Sequence, residues 1–213
     1  MHTPSMSQLS ARTRSVFCLA LIILASICAD QTTKLIAQSN LMTSSHGEDL
    51  RIYSGQRFPI WANQEVPPAV DNPNFYIGFN FNYVRNLGAA WGMLSEMPDT
   101  VRVPFFHLIT IFATTIIVFY LRATPLGHRL ARYALALILS GALGNFLDRL
   151  TRGYVIDFID VNWKIGGWRY YFPNFNIADS CITVGVALLM IDMLVLEAKR
   201  KRILQETSAG PIG

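Results

Sequence analysis

The chain has 213 residues, of which 52% are hydrophobic and only 15% are charged, and its mean hydropathy is +0.32. This composition excludes an ordinary soluble domain and indicates a membrane protein. The net charge of +4 does not indicate a nucleic-acid partner, because the basic residues stand beside apolar runs, as in proteins oriented in a membrane. The 3 cysteines lie in apolar segments and predict neither a disulfide framework nor a metal site.

Four apolar segments predict transmembrane helices, with spans at about 15–37, 102–122, 131–148 and 178–197. The basic start of the chain also resembles a secretory signal peptide, and Ala25–Cys28 resembles a lipoprotein cleavage box. Ile27 is large for the position before the cysteine, and further spans follow. We therefore expect the first span to be retained in the mature protein.

Four spans place both termini on the same side of the membrane. Basic residues concentrate on that side, and the positive-inside rule makes it cytoplasmic. These residues are Arg12, Arg14, Arg122, His128, Arg129, Arg132 and Lys199–Arg202. The outer loops, 38–101 and 149–177, then face the periplasm, and the polar tail, 205–213, is expected to be disordered.

The first outer loop has two parts. Ser39–Asn74 is polar and is predicted to be irregular. In Phe75–Tyr83, aromatic and aliphatic residues alternate with other residues at a period of two, which predicts a half-buried strand. The apolar face of this strand could lie on the lipid surface or on the helices. A second short extended segment is predicted at Val155–Val161.

Two helix ends carry polar residues at helical spacing. Asn145 and Arg149 share a face of the third span with Gly141, and the amide of Asn145 needs partners within an apolar run. Asp148 lies beside this face. For Asp148 and Arg149 alone, the simplest interpretation is a helix end, with Arg149 reaching to the interface and Asp148 paired locally. Asp30 and Lys34 form a second such pair in the first span, either an ordinary interfacial ion pair or a brace for a site.

The aspartates near the outer ends of spans three and four could form a catalytic dyad. Asn176 and Asp179 could instead be the N-cap and N3 residues of the last helix. Asp157 stands between Ile156 and Phe158, an apolar context that raises a carboxyl pKa. Two carboxylates brought close share a proton, so they can activate water and protonate an amide leaving group without a metal.

Other hydrolytic motifs are absent from the sequence. It contains no His-Glu-x-x-His zinc motif and no Gly-x-Ser-x-Gly elbow. The 4 histidines are scattered, and His107 is predicted to be a packing or interface residue. We therefore expect no metal and no cofactor. Asn86 and Gly88 begin a small-residue segment that is either a tight turn or backbone that approaches a ligand closely.

Together these motifs resemble those of the lipoprotein signal peptidase family (signal peptidase II). The four family motifs match, in order, Asp30–Lys34, Asn86–Ala90, Gly144–Arg149 with Val155–Phe158, and Phe175–Asp179. Trp91 stands where the family commonly has Phe. The segment between Lys34 and Phe75 and the stretch Asn162–Tyr171 are longer than in the family pattern.

The resemblance implies a membrane α-helical fold: four transmembrane helices with both termini cytoplasmic, a small periplasmic β-cradle and a surface loop or helix. The chain, 1–213, would be a single integral membrane peptidase domain. It would be an intramembrane aspartic endopeptidase of the bacterial inner membrane, active at the periplasmic face. Its substrates would be diacylglyceryl-modified prolipoproteins, cut before the lipidated cysteine.

The resemblance also assigns residues and partners. It implies that Asp157 and Asp179 are catalytic. The implied supporting and substrate-binding residues are Asp30, Lys34, Asn86, Gly88, Asn145, Arg149 and Asn176. It implies a monomer in contact with membrane lipids and inhibited by cyclic peptides of the globomycin type.

A non-enzymatic four-helix protein, such as a small transporter or an assembly factor, is the competing class. It would need polar groups through the depth of the membrane, whereas these residues are expected to cluster at one interface. A lipid phosphatase would require a Lys/Arg and His cluster, which the sequence lacks.

Overall fold

The computed structural model describes residues 6–42, 58–62, 75–88, 94 and 96–208. Within these residues the chain forms four helices and a sheet of four strands. The helices are α1 (Met6–Leu41), α2 (Asp99–Ala123), α3 (Arg129–Arg152) and α4 (Ile177–Ser208). The strands are β1 (Phe58–Ala62), β2 (Phe75–Asn86), β3 (Val155–Ile165) and β4 (Trp168–Tyr171).

Each helix contains one of the four predicted spans and is long and apolar enough to cross a membrane. The observed helices are longer than the predicted spans. At the C-terminus, α4 continues to Ser208, so 205–208 are helical and the prediction of a disordered tail is wrong for them. The rest of that tail, 209–213, lies outside the described residues.

Helix α3 is central, because it packs against each of the other three helices. Its contact with α4 requires glycine: a Cβ on Gly141 would meet the backbone oxygen of Ala178, and a Cβ on Gly185 would lie 2.7 Å from the oxygen of Ala134. On another side of α3, the ring of Phe146 lies 5.3 Å from that of His107 in an edge-to-face contact. His107 is therefore a packing residue, as predicted.

The strands form one antiparallel sheet in the order β1-β2-β3-β4. β1 lies in the segment predicted to be irregular, so that prediction is wrong for Phe58–Ala62, which pairs with β2. β3 is longer than the extended segment predicted, and it turns through Gly166 (φ 58°) into β4. Only glycine adopts such a φ without strain.

The burial of the two faces of β2 is the reverse of that in an ordinary half-buried strand. Phe79 and Phe81 are exposed, whereas Asn80 and Asn82 are buried. The aromatic face therefore does not pack on the helices, which was one of the two predicted alternatives. A register shift between Phe81 and Val84 turns Tyr83 inward, into a core formed with Ala37, Leu41, Ile156 and Phe158.

The surface helix implied by the resemblance is not found among the described residues between α1 and α2. Places for it at 43–57, 63–74 or 89–93 lie outside the described residues.

Candidate active site

Asp157 lies on β3, where its backbone faces Val84 of β2, and its side chain is 2% exposed. Each carboxylate oxygen accepts one side-chain amide. Asn176 Nδ2 donates to Oδ1 at 2.7 Å, and Asn86 Nδ2 donates to Oδ2 at 2.9 Å. The carboxyl group is thus fixed from two sides by elements distant in sequence.

The chain that leads into α4 is tied to β3. Phe175 N donates to Ile159 O at 3.1 Å, and Ile159 N donates to Phe175 O at 2.9 Å. This isolated bridge places Asn176 and the first turn of α4 beside Asp157. The bridge to β3 therefore determines where α4 begins, and with it the position of Asp179 in its first turn.

Asn176 and Asp179 cap α4 reciprocally. Asp179 N donates to Asn176 Oδ1 at 2.9 Å, and Asn176 N donates to Asp179 Oδ2 at 3.2 Å. This is a capping-box arrangement, with aspartate at N3. The prediction of an N-cap and N3 pair is confirmed, and the cap leaves Asp179 Oδ1 directed toward α3.

Asn145 connects the remaining groups. Its Nδ2 donates to Asp179 Oδ1 at 2.7 Å, and its Oδ1 accepts from Lys34 Nζ at 3.0 Å and from Asn176 Nδ2 at 3.2 Å. The partners that an amide in an apolar helix requires are all present. Asn145 therefore links α1, α3 and α4 at one point.

Burial, and to a lesser extent the negative charge of Asp179, raise the pKa of Asp157 to about 7. The hydrogen bonds from Asn86 and Asn176 and the charge of Lys34 act in the opposite direction. A carboxyl group with this pKa retains a proton for a large part of the time near neutral pH. Asp157 and Asp179 thus have the properties of a coupled carboxyl pair.

A fully buried ion network lies beneath the two aspartates. Lys34 Nζ lies 2.8 Å from Asp30 Oδ2, 2.8 Å from Asp148 Oδ2 and 3.0 Å from Asn145 Oδ1. The three donors of the ammonium group therefore have three acceptors. Asp30, Lys34 and Asp148 are each at most 1% exposed. The interpretation of Asp30 and Lys34 as only an interfacial pair is wrong.

Asp30 and Asp148 also hold backbone groups of neighbouring elements. Asp30 Oδ1 accepts from Ala178 N at 2.9 Å, which ties α1 to α4. Asp148 Oδ2 accepts from Ile156 N at 3.2 Å, which ties α3 to β3. Asp148 is thus more than the locally paired helix end of the simplest sequence interpretation.

Two members of this network, Gln31 and Arg152, were not singled out as site residues from the sequence. Gln31 Nε2 donates to Asp148 Oδ1 at 3.0 Å and to Gly144 O at 3.2 Å. Arg152 pairs with Asp148 and donates to Gln31 Oε1 at 3.1 Å. The i, i+4 spacing of Asp148 and Arg152 was the signal that could have identified Arg152.

Arg149 is half-buried and bonded within the protein, so it is more than a helix-end residue directed to the interface. Its Nη2 donates to Gly88 O at 3.0 Å, and its guanidinium carbon lies 4.6 Å from the centre of the Phe106 ring. Gly88 N in turn donates to Asn86 Oδ1 at 3.0 Å. Arg149 and Asn86 therefore fix the backbone of Gly88, just after β2.

The structure thus brings all nine predicted site residues into one connected group at one end of the bundle. Among the described residues, no three His, Cys, Asp or Glu side chains are arranged to hold a metal ion. The arrangement is two carboxyl groups fixed by amides, which is suited to proton transfer.

Comparisons with known proteins agree with this arrangement. The family model for signal peptidase (SPase) II matches residues 22–195. A lipoprotein signal peptidase of Anaeromyxobacter sp. (strain Fw109-5) is 40% identical over 179 residues, which are 81% of this chain and 82% of that protein. Another, of Geobacter sulfurreducens, is 48% identical over 123 residues, which are 58% of this chain and 72% of that protein.

Two solved structures of bacterial membrane enzymes are also similar. They have TM-scores of 0.60 and 0.59 and sequence identities of 34% and 33%. Each match covers 84% of this chain, and 88% and 94% of the respective enzymes. The family match spans most of the chain, and its residues include both aspartates and every group that fixes them. The chain belongs to the signal peptidase II family.

Proposed function

We propose that this chain is an intramembrane aspartic endopeptidase that removes the signal peptide from diacylglyceryl-modified prolipoproteins. It cuts before the lipidated cysteine, and 1–213 act as a single integral membrane peptidase domain. The observation that carries this proposal is the convergence of Asp157 on β3 and Asp179 on α4, bridged by Asn176. Family membership supplies the substrate class.

In this proposal Asp157 holds the shared proton and Asp179 is the base. Asp179 takes a proton from the attacking water, whose oxygen bonds to the scissile carbonyl carbon, while Asp157 protonates the carbonyl oxygen. When the intermediate collapses, the C–N bond breaks and the amine nitrogen receives the proton from Asp179. Asp157 recovers its proton from the hydroxyl of the intermediate. The pKa of Asp157, raised to about 7, supports its assignment as the protonated partner.

The supporting residues act on the dyad in three ways. Asn86, Asn145 and Asn176 orient its oxygens through hydrogen bonds of 2.9, 2.7 and 2.7 Å. Asp30 and Lys34 brace the helices that carry these amides. Arg149 holds the backbone of Gly88, just after β2, beside the site, where it can contact the substrate.

The direct test is cleavage of a diacylglyceryl-modified prolipoprotein by the purified chain and by Asp157→Asn and Asp179→Asn. We expect the wild type to cut and both variants to bind substrate without cutting. Asp192→Asn, in the same helix as Asp179, is the matched control and should cut normally. Near-normal turnover in either dyad variant would remove that aspartate from catalysis. A wild type that does not cut would contradict the proposed function.

We further propose that the chain is a multi-pass protein of the bacterial inner membrane with both termini cytoplasmic and the dyad at the periplasmic face. The support is the location of basic residues at the end of the bundle opposite the dyad. Fusion of a reporter after the C-terminus tests this orientation. Alkaline phosphatase should be inactive there and green fluorescent protein fluorescent; the reverse result would overturn it.

We also propose that the chain works as a monomer among membrane lipids and is inhibited by cyclic peptides of the globomycin type. In this proposal an inhibitor of this class occupies the site that contains Asp157 and Asp179. Light scattering of the purified protein should give the mass of one chain. The peptide should compete with the prolipoprotein, and non-competitive inhibition or none would count against this binding mode.

A further inference from the structure

A cavity of about 460 Å³ lies at the other end of the bundle from the dyad. It is formed by the N-terminal half of α1, the C-terminal end of α2 and the beginning of α3. From Arg132, in this cavity, to Asn145, beside the dyad, is about 20 Å along α3 at the rise of an α-helix. The cavity is therefore separate from the proposed catalytic site.

Three arginines line this cavity: Arg12, Arg122 and Arg132. Arg132 is only 7% exposed, and its Nη1 donates to Thr124 O at 2.8 Å and to Leu121 O at 3.2 Å. These bonds fix the guanidinium group at the end of α2. Its Nε is buried and has no hydrogen-bond partner among the described residues. The cavity thus holds an oriented cation with a free donor.

Among the residues that the structure describes, no negative charge balances this group. None of the residues that line the cavity is acidic, and within the described part of the chain no carboxylate pairs with Arg12, Arg122 or Arg132. The three cations make the electrostatic potential of the cavity positive, and a positive potential attracts anions. The ligand expected here is therefore anionic.

The rest of the cavity wall is apolar. Val16, Leu19 and Ile23 of α1 face Val118 of α2 across it. The arginines lie at the helix ends, where lipid headgroups would be, and the apolar residues extend from them toward the middle of the spans. A free phosphate ion would use the arginines but not the apolar wall. A basic peptide segment would be repelled.

We propose that this cavity binds an anionic phospholipid, with its phosphate on the arginines and an acyl chain between α1 and α2. Arginine-rich pockets between membrane helices are suited to phosphodiester headgroups, because guanidinium groups donate two hydrogen bonds to phosphate oxygens. The site is distinct from the peptidase reaction, and it holds whether or not the proposed substrate is correct.

The test is native mass spectrometry of the full chain in neutral detergent with dioleoyl phosphatidylglycerol and with dioleoyl phosphatidylcholine. The wild type should retain the anionic lipid in preference to the zwitterionic one. Arg12→Gln combined with Arg122→Gln should weaken this binding roughly tenfold or more, because both guanidinium groups line the cavity and would donate charge-assisted hydrogen bonds to the phosphate. Arg132 stays unchanged, since it also holds the end of α2.

Arg14→Gln combined with Arg129→Gln is the matched control. Both arginines are exposed at the same end of the bundle but do not line the cavity, and the net charge changes equally. This pair should alter binding less than twofold. Equal weakening by both pairs would show attraction by the surface in general and would overturn the site.

A further variant tests whether the apolar wall of the cavity takes part in lipid binding. Ala20→Phe fills the cavity from α1 without changing an arginine, and it should prevent lipid binding. Ala25→Phe, on the same helix but outside the cavity, should not. Unchanged binding in Ala20→Phe, equal binding of the two lipids, or displacement of the lipid by an equal concentration of inorganic phosphate would each contradict the proposal.

Discussion

The Nδ2 atom of Asn176 lies 2.7 Å from Oδ1 of Asp157, so the first residue before α4 is hydrogen bonded to β3. The other end of the same amide caps α4 through Asp179 N at 2.9 Å. The side chain of Asn176 therefore both caps α4 and influences the pKa of Asp157. A suitable substitution separates these two effects.

Asn176→Ser should retain the cap and lose the bond to Asp157, because serine caps helices well but is too short to reach β3. The bond from Asn176 lowers the pKa of Asp157. Its loss should therefore move the alkaline limb of the pH–rate profile upward by roughly half a unit or more. Asn176→Ala should lose both functions and unfold at a lower temperature than Asn176→Ser. An unmoved alkaline limb in Asn176→Ser would show that the bond does not affect the reacting carboxyl group.

The rate of cleavage should depend on pH with an alkaline limb near pH 7 in the wild type. The proposed reaction needs a protonated Asp157, whose pKa is raised to about 7 by burial and then by Asp179. Deprotonation above this value removes the acid, so kcat should fall tenfold per pH unit on that limb. A profile of kcat in detergent from pH 5 to pH 9 measures it. A rate that keeps rising to pH 9 would exclude Asp157 as the acid.

Stability should also fall as the pH rises between about 4 and 7. The folded-state pKa of Asp157, about 7, lies above the ordinary value of 3.8, so the folded state holds a proton that the unfolded state has lost in this window. The stabilisation is complete below the ordinary pKa and is lost through the folded-state pKa. Thermal unfolding of the wild type and of Asp157→Asn across pH 4–8 should give a smaller slope for the variant. Asp192→Asn should keep the slope of the wild type.

Lys34→Met should destabilise the fold by about 3–5 kcal/mol, because it leaves Asp30 without its buried counter-charge. The ammonium group has three acceptors, at 2.8, 2.8 and 3.0 Å. All three acceptor residues are buried. Adding Asp30→Asn to Lys34→Met should recover part of the loss. Lys199→Met, at an exposed site, should change nothing. A double variant as unstable as Lys34→Met alone would show that packing, and not charge, is the cause.

Gly141→Ala should reduce kcat by roughly tenfold or more, since small displacements of reacting groups have large effects on rate. The added methyl group would meet the oxygen of Ala178, which directly precedes Asp179, and would force α4 away from α3. The 2.7 Å bond from Asn145 to Asp179 should lengthen as a result. Gly127→Ala, where nothing lies within 4 Å of the new atom, is the control. Full activity in Gly141→Ala would mean that the helix contact adapts without moving the dyad.

The helices and their polar faces could be predicted because both depend on local periodicity. Runs of apolar residues of sufficient length predicted all four helices. The helical spacing of Asn145 and Arg149 placed both on one side of α3, and the spacing of Asn176 and Asp179 predicted the cap. Each of these features is determined by residues that are only a few positions apart in the sequence.

The orientation of β2 could not be predicted, because alternation shows that a strand has two faces but not which one is buried. In an aqueous protein the aromatic face would turn inward. Here Phe79 and Phe81 are exposed and Asn80 is buried, with its Nδ2 donating to Asp160 Oδ2 at 3.0 Å. β1 was not predicted, because it is defined by its pairing with β2, which is distant in the sequence.

The long-range hydrogen bonds and ion pairs of the site could not be predicted from the spacing of residues in the sequence either. Asp148 has a local partner in Arg152, and that pair alone would explain it. Its contacts with Lys34 and with Ile156 N depend on how α1, α3 and β3 meet. Similarly, the sequence shows Arg132 as one cation among several, and only the fold shows that it is buried at the end of α2.

The ion network has a consequence for how the chain enters the bilayer during synthesis. Asp30 has its counter-ion Lys34 one turn away in α1, and Asp148 has Arg152 one turn away in α3. Each aspartate is therefore paired with a cation of its own helix before the two helices meet. α1 can therefore enter the lipid before α3 does, without placing an unpaired charge in the hydrocarbon. The contact between Lys34 and Asp148 then forms on association, so lateral assembly of the helices joins two neutral pairs into one cluster.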